Sequence, residues 1–435
     1  MKISVIGCGY LGVVHAACLA SLGHEVIGID IDEAKIDTLS RGQAPIFEPG
    51  LPELLDSTIA RGNLTFSTEF SAAQDAAAHF ITVGTPQLPG SFAADISYVD
   101  AALDALIPYL EPGSLVIGKS TVPVGTAGRL EEHLRERVPE AKLAWNPEFL
   151  REGFAVKDTL APDRLVYGIG AGDVTSEGIL DQIYATPLAG GAPKIVTDFA
   201  TAELVKVSAN AFLATKISFI NAMAEIAEAT GADVTQLADA LGHDARIGRR
   251  FLNSGLGFGG GCLPKDIRAF QARATELGLE ESLGFLREVD AINLRRRERM
   301  VTLAVESVGG SVADKRFAVL GLAFKPNSDD VRDSPALDVA VRLHALGAKV
   351  VATDPAANTT AGARHPQLDY VASATDAARE ADAVLVMTEW DDYRALDPVV
   401  FGEIVSHRVV IDGRNCLDSA LWRDAGWDYR ALGHA

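Results

Sequence analysis

The residues best equipped for chemistry lie in one stretch, GLGFGGGCLPKD at 255–266. Five glycines precede Cys262, so backbone amides can approach a ligand without side-chain obstruction. Pro264 suits the first turn of a helix that would run to Gly278. Cys262 then stands at a helix N-terminus beside Lys265, where a thiol pKa falls and a thiolate nucleophile becomes available. Asp266, four residues on, shares that helix face and can orient or activate a water. The plainer alternative is a buried free cysteine after a flexible loop.

A second chemical signature opens the chain. Gly7-x-Gly9-x-x-Gly12 falls between an apolar strand and a helix, where glycines allow a tight turn and a close pyrophosphate approach to the helix N-terminus. Alone the pattern is weak. Here Asp30 ends the next strand, roughly 20 residues on, where a carboxylate binds a ribose 2′-hydroxyl. An anion there repels a 2′-phosphate, so NAD is expected over NADP. A merely structural glycine turn is the alternative.

Other polar groups cluster at predicted strand ends. NPEFLREG (146–153) places Glu148 and Glu152 four apart, and KSTVPVGT (119–126) offers Thr121. Either carboxylate could equally be a solvated surface group. Lys206 and Asn210 share a face of an otherwise apolar helix, where an unpaired lysine is costly unless it is functional. Lys325, Arg332 and Arg414 put cations at later strand ends, suitable for phosphates or for ordinary surface pairs.

These groups must be positioned by alternating strands and helices. KISVIG, VVHAACLASLG and HEVIGID read as strand, helix, strand, and further strands are expected at 79–84, 114–120, 142–146 and 164–170. Such alternation predicts a parallel sheet covered on both faces. Residues 198–230 predict one long helix, N-capped by Asp198 and ended by Gly231. Its polar stripe (Glu203, Lys206, Asn210, Asn221, Glu225) is narrow, so it should be buried against more than its own domain. More helix is expected to about residue 309. From 316 the α/β pattern restarts with RFAVLGLAFKP, the helix SPALDVAVRLHALG and KVVATDP, then ADAVLVMTEW and RVVIDGRN. In this echo Gly7, Gly9, Gly12 and Asp30 correspond to Gly321, Ala323, Pro326 and Asp354, so the second half should face a different anionic ligand.

A chain of 435 residues divides into two or three domains at roughly 150 residues each. With 48% hydrophobic residues it can build proper cores, and a net charge of −20 argues against nucleic acid or an anionic membrane as partner. Four cysteines (Cys8, Cys18, Cys262, Cys416) without metal spacing favour a reducing, cytoplasmic compartment and no metal. The apolar run after Lys2 imitates a secretory leader, but glycines punctuate it.

In this order the motifs GCGYLG, VGTP (83–86), KSTVPVGT, NPEFLREG, GFGGGCLPKD, GLAFKPNSDDVRDSP and DGRN resemble the UDP-glucose/GDP-mannose dehydrogenase family across almost the whole chain. The resemblance implies two Rossmann-like doubly wound parallel-sheet domains joined by a central helical segment: 1–197 for NAD, 198–312 for dimerisation and the cysteine loop, 313–435 for the UDP-sugar. It implies a four-electron, NAD-dependent oxidation of a sugar C6 alcohol to a carboxylate. UDP-glucose is the expected substrate; GDP-mannose or UDP-N-acetylmannosamine is the alternative. Cys262 would be the nucleophile and Lys206 the oxyanion partner. Asp266, Asn210, Thr121 and Glu148 would position water. Implied NAD contacts are Gly7, Gly9, Tyr10, Leu11, Gly12, Asp30, Lys35, Thr85, Thr121, Glu152, Lys265 and Arg332. Implied sugar-nucleotide contacts are Glu148, Phe149, Leu150, Arg151, Glu152, Lys206, Asn210, Phe251, Leu252, Asn253, Ser254, Gly255, Gly259, Lys325 and Arg414, with Arg246 from the other copy of a homodimer. Two departures stand out. Gly261 precedes Cys262 where the family usually has serine, and Leu11 stands where it has valine.

Overall fold

The structure, a computed structural model, describes residues 1–434. The chain folds as two compact units, residues 1–209 with 268–279 and residues 210–267 with 280–435.

The first unit holds an eight-stranded sheet. Its strands are β1 (Lys2–Ile6), β2 (Glu25–Ile29), β3 (Leu64–Ser67), β4 (Ala78–Ile81), β5 (Leu115–Gly118), β6 (Lys142–Trp145), β7 (Leu165–Ile169) and β8 (Lys194–Thr197), ordered β3-β2-β1-β4-β5-β6-β7-β8. Alternation along β1 feeds two cores. Ile3 and Val5 pack with Val13, Val14 and Ala17 on one face, while Ile6 packs with Ile81, Leu103 and Leu130 on the other. Burial on both faces is why the central strands read as continuous apolar runs. One pairing departs from the expected all-parallel sheet: β7 runs antiparallel to β6. The chain therefore re-enters the sheet from the end at which β6 leaves it, which keeps residues 146–164 at the carboxyl edge of the strands.

The second unit repeats the plan with six strands: β9 (Arg316–Leu320), β10 (Lys349–Thr353), β11 (Asp369–Tyr370), β12 (Ala383–Val386), β13 (Val409–Asp412) and β14 (Asp428–Ala431). Their order, β11-β10-β9-β12-β13-β14, matches that of the first six strands, and every pairing is parallel. Four strands were not anticipated from sequence: β3, β8, β11 and β14. They are the four sheet edges. Edge strands are not covered on both sides and need no apolar run.

The long helix is Phe199–Thr230, with Ala209 the last residue belonging to the first unit. The Asp198 carboxylate caps it, accepting from the Thr201 N–H at 2.8 Å. The cysteine helix is Leu263–Glu276, and helices Val234–Gly242 and Phe285–Ser307 complete the expected helical segment, with loop at 243–262.

Candidate active site

At the carboxyl end of β1 the glycines do different work. Gly7 turns the chain at φ 94°. A Cβ on Gly12 would lie 1.9 Å from the Gly7 carbonyl oxygen, so only glycine lets the helix Tyr10–Ser21 start this close to the strand. A Cβ on Gly9 would meet no protein atom within 4 Å; the space beside it is open. Asp30, at the end of β2, accepts from the Cys8 N–H at 2.8 Å and Lys35 Nζ at 2.8 Å. The turn, the open space and the carboxylate fit an NAD pyrophosphate and ribose. The neighbouring Leu11 is part of the first helix turn, and the Tyr10 hydroxyl donates to the buried Glu48 carboxylate.

Glu48 and Tyr10 in turn hold the NPEFLREG loop. Glu48 accepts from the N–H groups of Gly153 (2.6 Å) and Ala155 (2.7 Å), and the Tyr10 hydroxyl also accepts from Gly153. Within that loop Glu148 reaches Lys206 at 3.1 Å, both side chains nearly buried, and Lys206 lies over the Phe149 ring. Leu150 packs on the sheet core, Arg151 is engaged bidentately by Asp158, and Glu152 is buried. Beside the loop, Thr85 Oγ1 donates to the Thr121 carbonyl at 2.8 Å, tying the VGTP and KSTVPVGT turns together.

In the second unit Cys262 immediately precedes its helix. Its carbonyl accepts the Asp266 N–H at 2.9 Å, the first bond of the helical ladder, and its thiol is in no disulfide and is exposed. A buried structural cysteine, the plain alternative, is thereby excluded. Asp266 is buried and pinned from both sides: Asn210 Nδ2 donates to one oxygen at 2.7 Å and Lys265 Nζ to the other at 2.5 Å. Gly261 sits against Arg332; a Cβ there would come within 2.3 Å of the Arg332 guanidinium carbon, so the missing serine leaves room for that side chain.

The loop 251–259 is shaped by side chains on three elements. The Gly255 N–H donates to Asn221 Oδ1 (2.9 Å), and the Phe258 N–H to Asn293 Oδ1 (2.7 Å). Asn415 donates to the hydroxyl of Ser254, and Arg414 donates to the carbonyls of Gly257 (2.9 Å), Met387 (2.9 Å) and Phe324 (3.3 Å). Phe251 stands in the left-handed region at φ 66°, Leu252 is buried, Asn253 accepts from Arg249, and Gly259 lies against the backbone of Asp333. Lys325 lies over the Phe324 ring. Arg246 stands apart from this cluster, its side chain 89% exposed and paired with Asp244.

Sequence reading missed the buried scaffolding: Glu48, Lys119, Asn146, Asn293 and the Glu228–Arg296 pair, which accepts the Gly433 N–H on the carboxylate and donates to the Gly255 carbonyl from the guanidinium. The available signal was a charged or amide residue inside an apolar run. No group of three metal-binding side chains occurs among the described residues.

Residues 1–188 match the NAD binding domain of the UDP-glucose/GDP-mannose dehydrogenase family, 200–295 its central domain and 318–419 its UDP binding domain. The chain is 40% identical over 436 residues to a UDP-glucose 6-dehydrogenase of Rhizobium meliloti (strain 1021), covering 100% of this chain and 99% of the relative. It is 40% identical over 438 residues to one of Bacillus subtilis (strain 168), covering 99% and 93%. Its structure is similar to that of a UDP-glucose dehydrogenase from the archaeon Pyrobaculum islandicum, with TM-score 0.90, 38% identity and coverage of 100% and 98%. A UDP-D-ManNAc dehydrogenase of Pyrococcus horikoshii is similar at TM-score 0.86 and 26% identity, covering 100% and 99%. With all three of its domains matched in order and relatives matched from end to end, the chain belongs to the UDP-glucose/GDP-mannose dehydrogenase family.

Proposed function

We propose that this chain oxidises UDP-glucose to UDP-glucuronate in two successive two-electron steps, with Cys262 carrying the intermediate. The observation behind the reading is the exposed cysteine thiol at a helix N-terminus, one turn from an aspartate fixed by Asn210 and Lys265. UDP-glucose is favoured over UDP-N-acetylmannosamine because relatives named for it are 37–40% identical, against 26% for the ManNAc enzyme.

Two NAD molecules, bound one after the other, would each accept one hydride, and Asp30, Lys35, Thr85, Thr121, Glu152, Lys265 and Arg332 would hold them. In the first step a water held by Asp266, Thr121 and Glu148 takes the C6 hydroxyl proton as the C–H bond breaks. The product aldehyde carbon is sp² and releases no further hydride until a nucleophile makes it tetrahedral. The Cys262 thiolate adds, forming a C–S bond, and Lys206 stabilises the resulting oxyanion. Loss of the second hydride collapses this thiohemiacetal to a thioester. A water positioned by Asp266 and Glu148 then attacks the carbonyl; the C–S bond breaks, returning thiolate and carboxylate. The sugar nucleotide would lie along Glu148–Glu152, Phe251–Gly255, Gly259, Lys325 and Arg414. In this reading 1–197, 198–312 and 313–435 are three functional domains.

The test is stoichiometry: two NADH per UDP-glucose and no released aldehyde. Cys262→Ala should bind both ligands yet lose turnover by several orders of magnitude, and Cys262→Ser should trap a sugar ester visible by mass spectrometry. One NADH per sugar, or near-normal turnover of Cys262→Ala, sinks the mechanism. A kcat/KM for GDP-mannose or UDP-N-acetylmannosamine at or above that for UDP-glucose sinks the substrate.

The working form is proposed to be a homodimer. Phe212, Phe219 and Ile226 recur every seven residues on the long helix and are 67%, 47% and 55% exposed. A second copy of the same helix would cover them, and the exposed Arg246 would reach its neighbour's substrate. An active monomer in light scattering removes both statements. No helix among the described residues is long and apolar enough to cross a membrane; with none of the four cysteines in a disulfide, a cytoplasmic location is proposed.

A further inference from the structure

We infer that Lys119 is a positioning residue for the reaction: from beneath the NPEFLREG loop it fixes Asn146 and sets the electrostatic balance of the Glu148–Lys206 pair. The inference rests on the function proposed above.

Lys119 follows β5 and is buried. Its ammonium donates to Asn146 Oδ1 (2.9 Å), the Asn146 carbonyl (3.4 Å) and the Tyr184 hydroxyl (3.4 Å). Tyr184 donates to the same Oδ1 at 2.6 Å, and Asn146 Nδ2 donates to the Val166 carbonyl at 2.9 Å. Asn146 is thus held through both ends of its amide, at the point where the chain leaves β6 for the loop bearing Glu148. Two residues later Glu148 meets Lys206.

The partners of Lys119 are three neutral oxygens and the faces of Phe80 and Tyr184. A buried cation without a carboxylate partner is costly, and a methionine would fill the same volume without that cost. Packing therefore does not account for the charge. What does face it, from each neighbouring element, is a short set of groups. His15 on the first helix is kept neutral by burial and by Lys119 itself. Tyr184, stacked on Tyr167, is likewise held protonated by burial. Glu148 and Lys206 complete the set.

Burial pulls the Lys119 ammonium down to about 8, the Glu148 charge opposing that shift and the Lys206 charge adding to it. While charged, Lys119 attracts the Glu148 carboxylate and repels the Lys206 ammonium. As pH rises through about 8 that bias is lost.

The experiment compares wild type with Lys119→Met, which keeps the stem and removes the charge. We expect kcat to fall about tenfold or more, with the KM values for UDP-glucose and NAD moving by less than about threefold. The inflection near pH 8 in the wild-type kcat profile should disappear. Titration followed by NMR on protein carrying ¹³Cε-lysine reads the coupling without catalysis: the Lys206 resonance should titrate at higher pH in Lys119→Met. A folded Lys119→Met with wild-type kcat, or with an unmoved Lys206 titration, overturns the inference. If Lys119→Met does not fold, Tyr184→Phe decides. It retains the charge but removes one acceptor, and should shift the Lys119 resonance and the kcat inflection to lower pH; no shift overturns the inference. Should wild type fail to oxidise UDP-glucose, the proposed substrate falls, while the NMR titration still decides the coupling of Lys119 to Lys206.

Discussion

The second sheet and the first six strands of the first share strand order, a glycine turn after the first strand (φ 94° at Gly7, 100° at Gly321) and an aspartate ending the second strand. Their aspartates do opposite work. Asp354 is buried and accepts five N–H groups, from Leu322, Ala323, Ala356, Ala357 and Trp390. Asp30 is partly exposed and accepts from the N–H groups of Cys8 and Asp32 and from Lys35. A carboxylate has about four lone-pair sites, so Asp354 has none left for a ribose and Asp30 does. The helices differ in the same sense: one begins at Tyr10, three residues past Gly7, the other only at Pro335, past a loop holding Lys325 and Arg332. One topology thus yields a tight dinucleotide turn in one unit and a long loop clamped by its own aspartate in the other. The difference lies in which acceptors the protein leaves unfilled.

The comparison breaks hardest at Gly12. Gly12→Ala forces a methyl to within 1.9 Å of a backbone oxygen, and should cost about 4 kcal/mol or more and abolish NAD binding. Gly9→Ala meets nothing, so stability should hold within about 0.5 kcal/mol while NAD affinity falls about tenfold or more. Calorimetry with and without NAD separates the two; equal stability losses would refute the division of labour. Next come the aspartates. Asp354→Asn strips acceptors from buried N–H groups and should cost about 3 kcal/mol without touching NAD affinity. Asp30→Ala should cost about 1 kcal/mol or less yet weaken NAD binding more than NADP binding. An Asp354→Asn variant that lost NAD affinity selectively would show the echo to be functional as well as structural.

What was legible in the sequence divides along the same physical line. Central strands, covered on both faces, announce themselves as apolar runs; the edges β3, β8, β11 and β14 do not, and LTFS, KIVT, DY and DYRA passed unread. The direction of β7 was also illegible, because strand polarity depends on where the connection runs, not on the apolar pattern. At the site, the pairings of Lys206 with Glu148 and of Asp266 with Asn210 and Lys265 joined residues already suspected on chemical grounds. Of their supports, Glu48 carries no motif of its own, and Asn146 opens NPEFLREG without any sign there of what it holds. Their role exists only once distant backbone N–H groups or side chains are brought to them, as Gly153 and Ala155 are to Glu48.

The smallest expected contrast is acid sensitivity. The first unit buries His15 and His79; no histidine is buried in the second among the described residues. His79 Nδ1 is bonded to the Ser4 hydroxyl at 2.8 Å, and Nε2 has no partner. Burial drives His79 down from 6.5 to about 4, with a backbone bond at Ala76 opposing and the Lys2 charge adding. His15 is held well below 6.5 by burial and then by Lys119. The unfolded chain therefore takes up protons near pH 6.5 that the folded unit refuses until about pH 4. Folded-state pKa values below the unfolded ones mean stability that is complete above pH 6.5 and lost as pH falls toward 4. At pH 5.5 His79 alone should withdraw about 1.4 kcal/mol from the first unit. Hydrogen exchange corrected for intrinsic rates should show protection falling between pH 7 and 5.5 along β1 and β4, more than along β9 and β12. His79→Asn should flatten that slope. An equal loss in both sheets, or an unchanged slope in the variant, would assign the acid sensitivity to carboxylates common to both units instead.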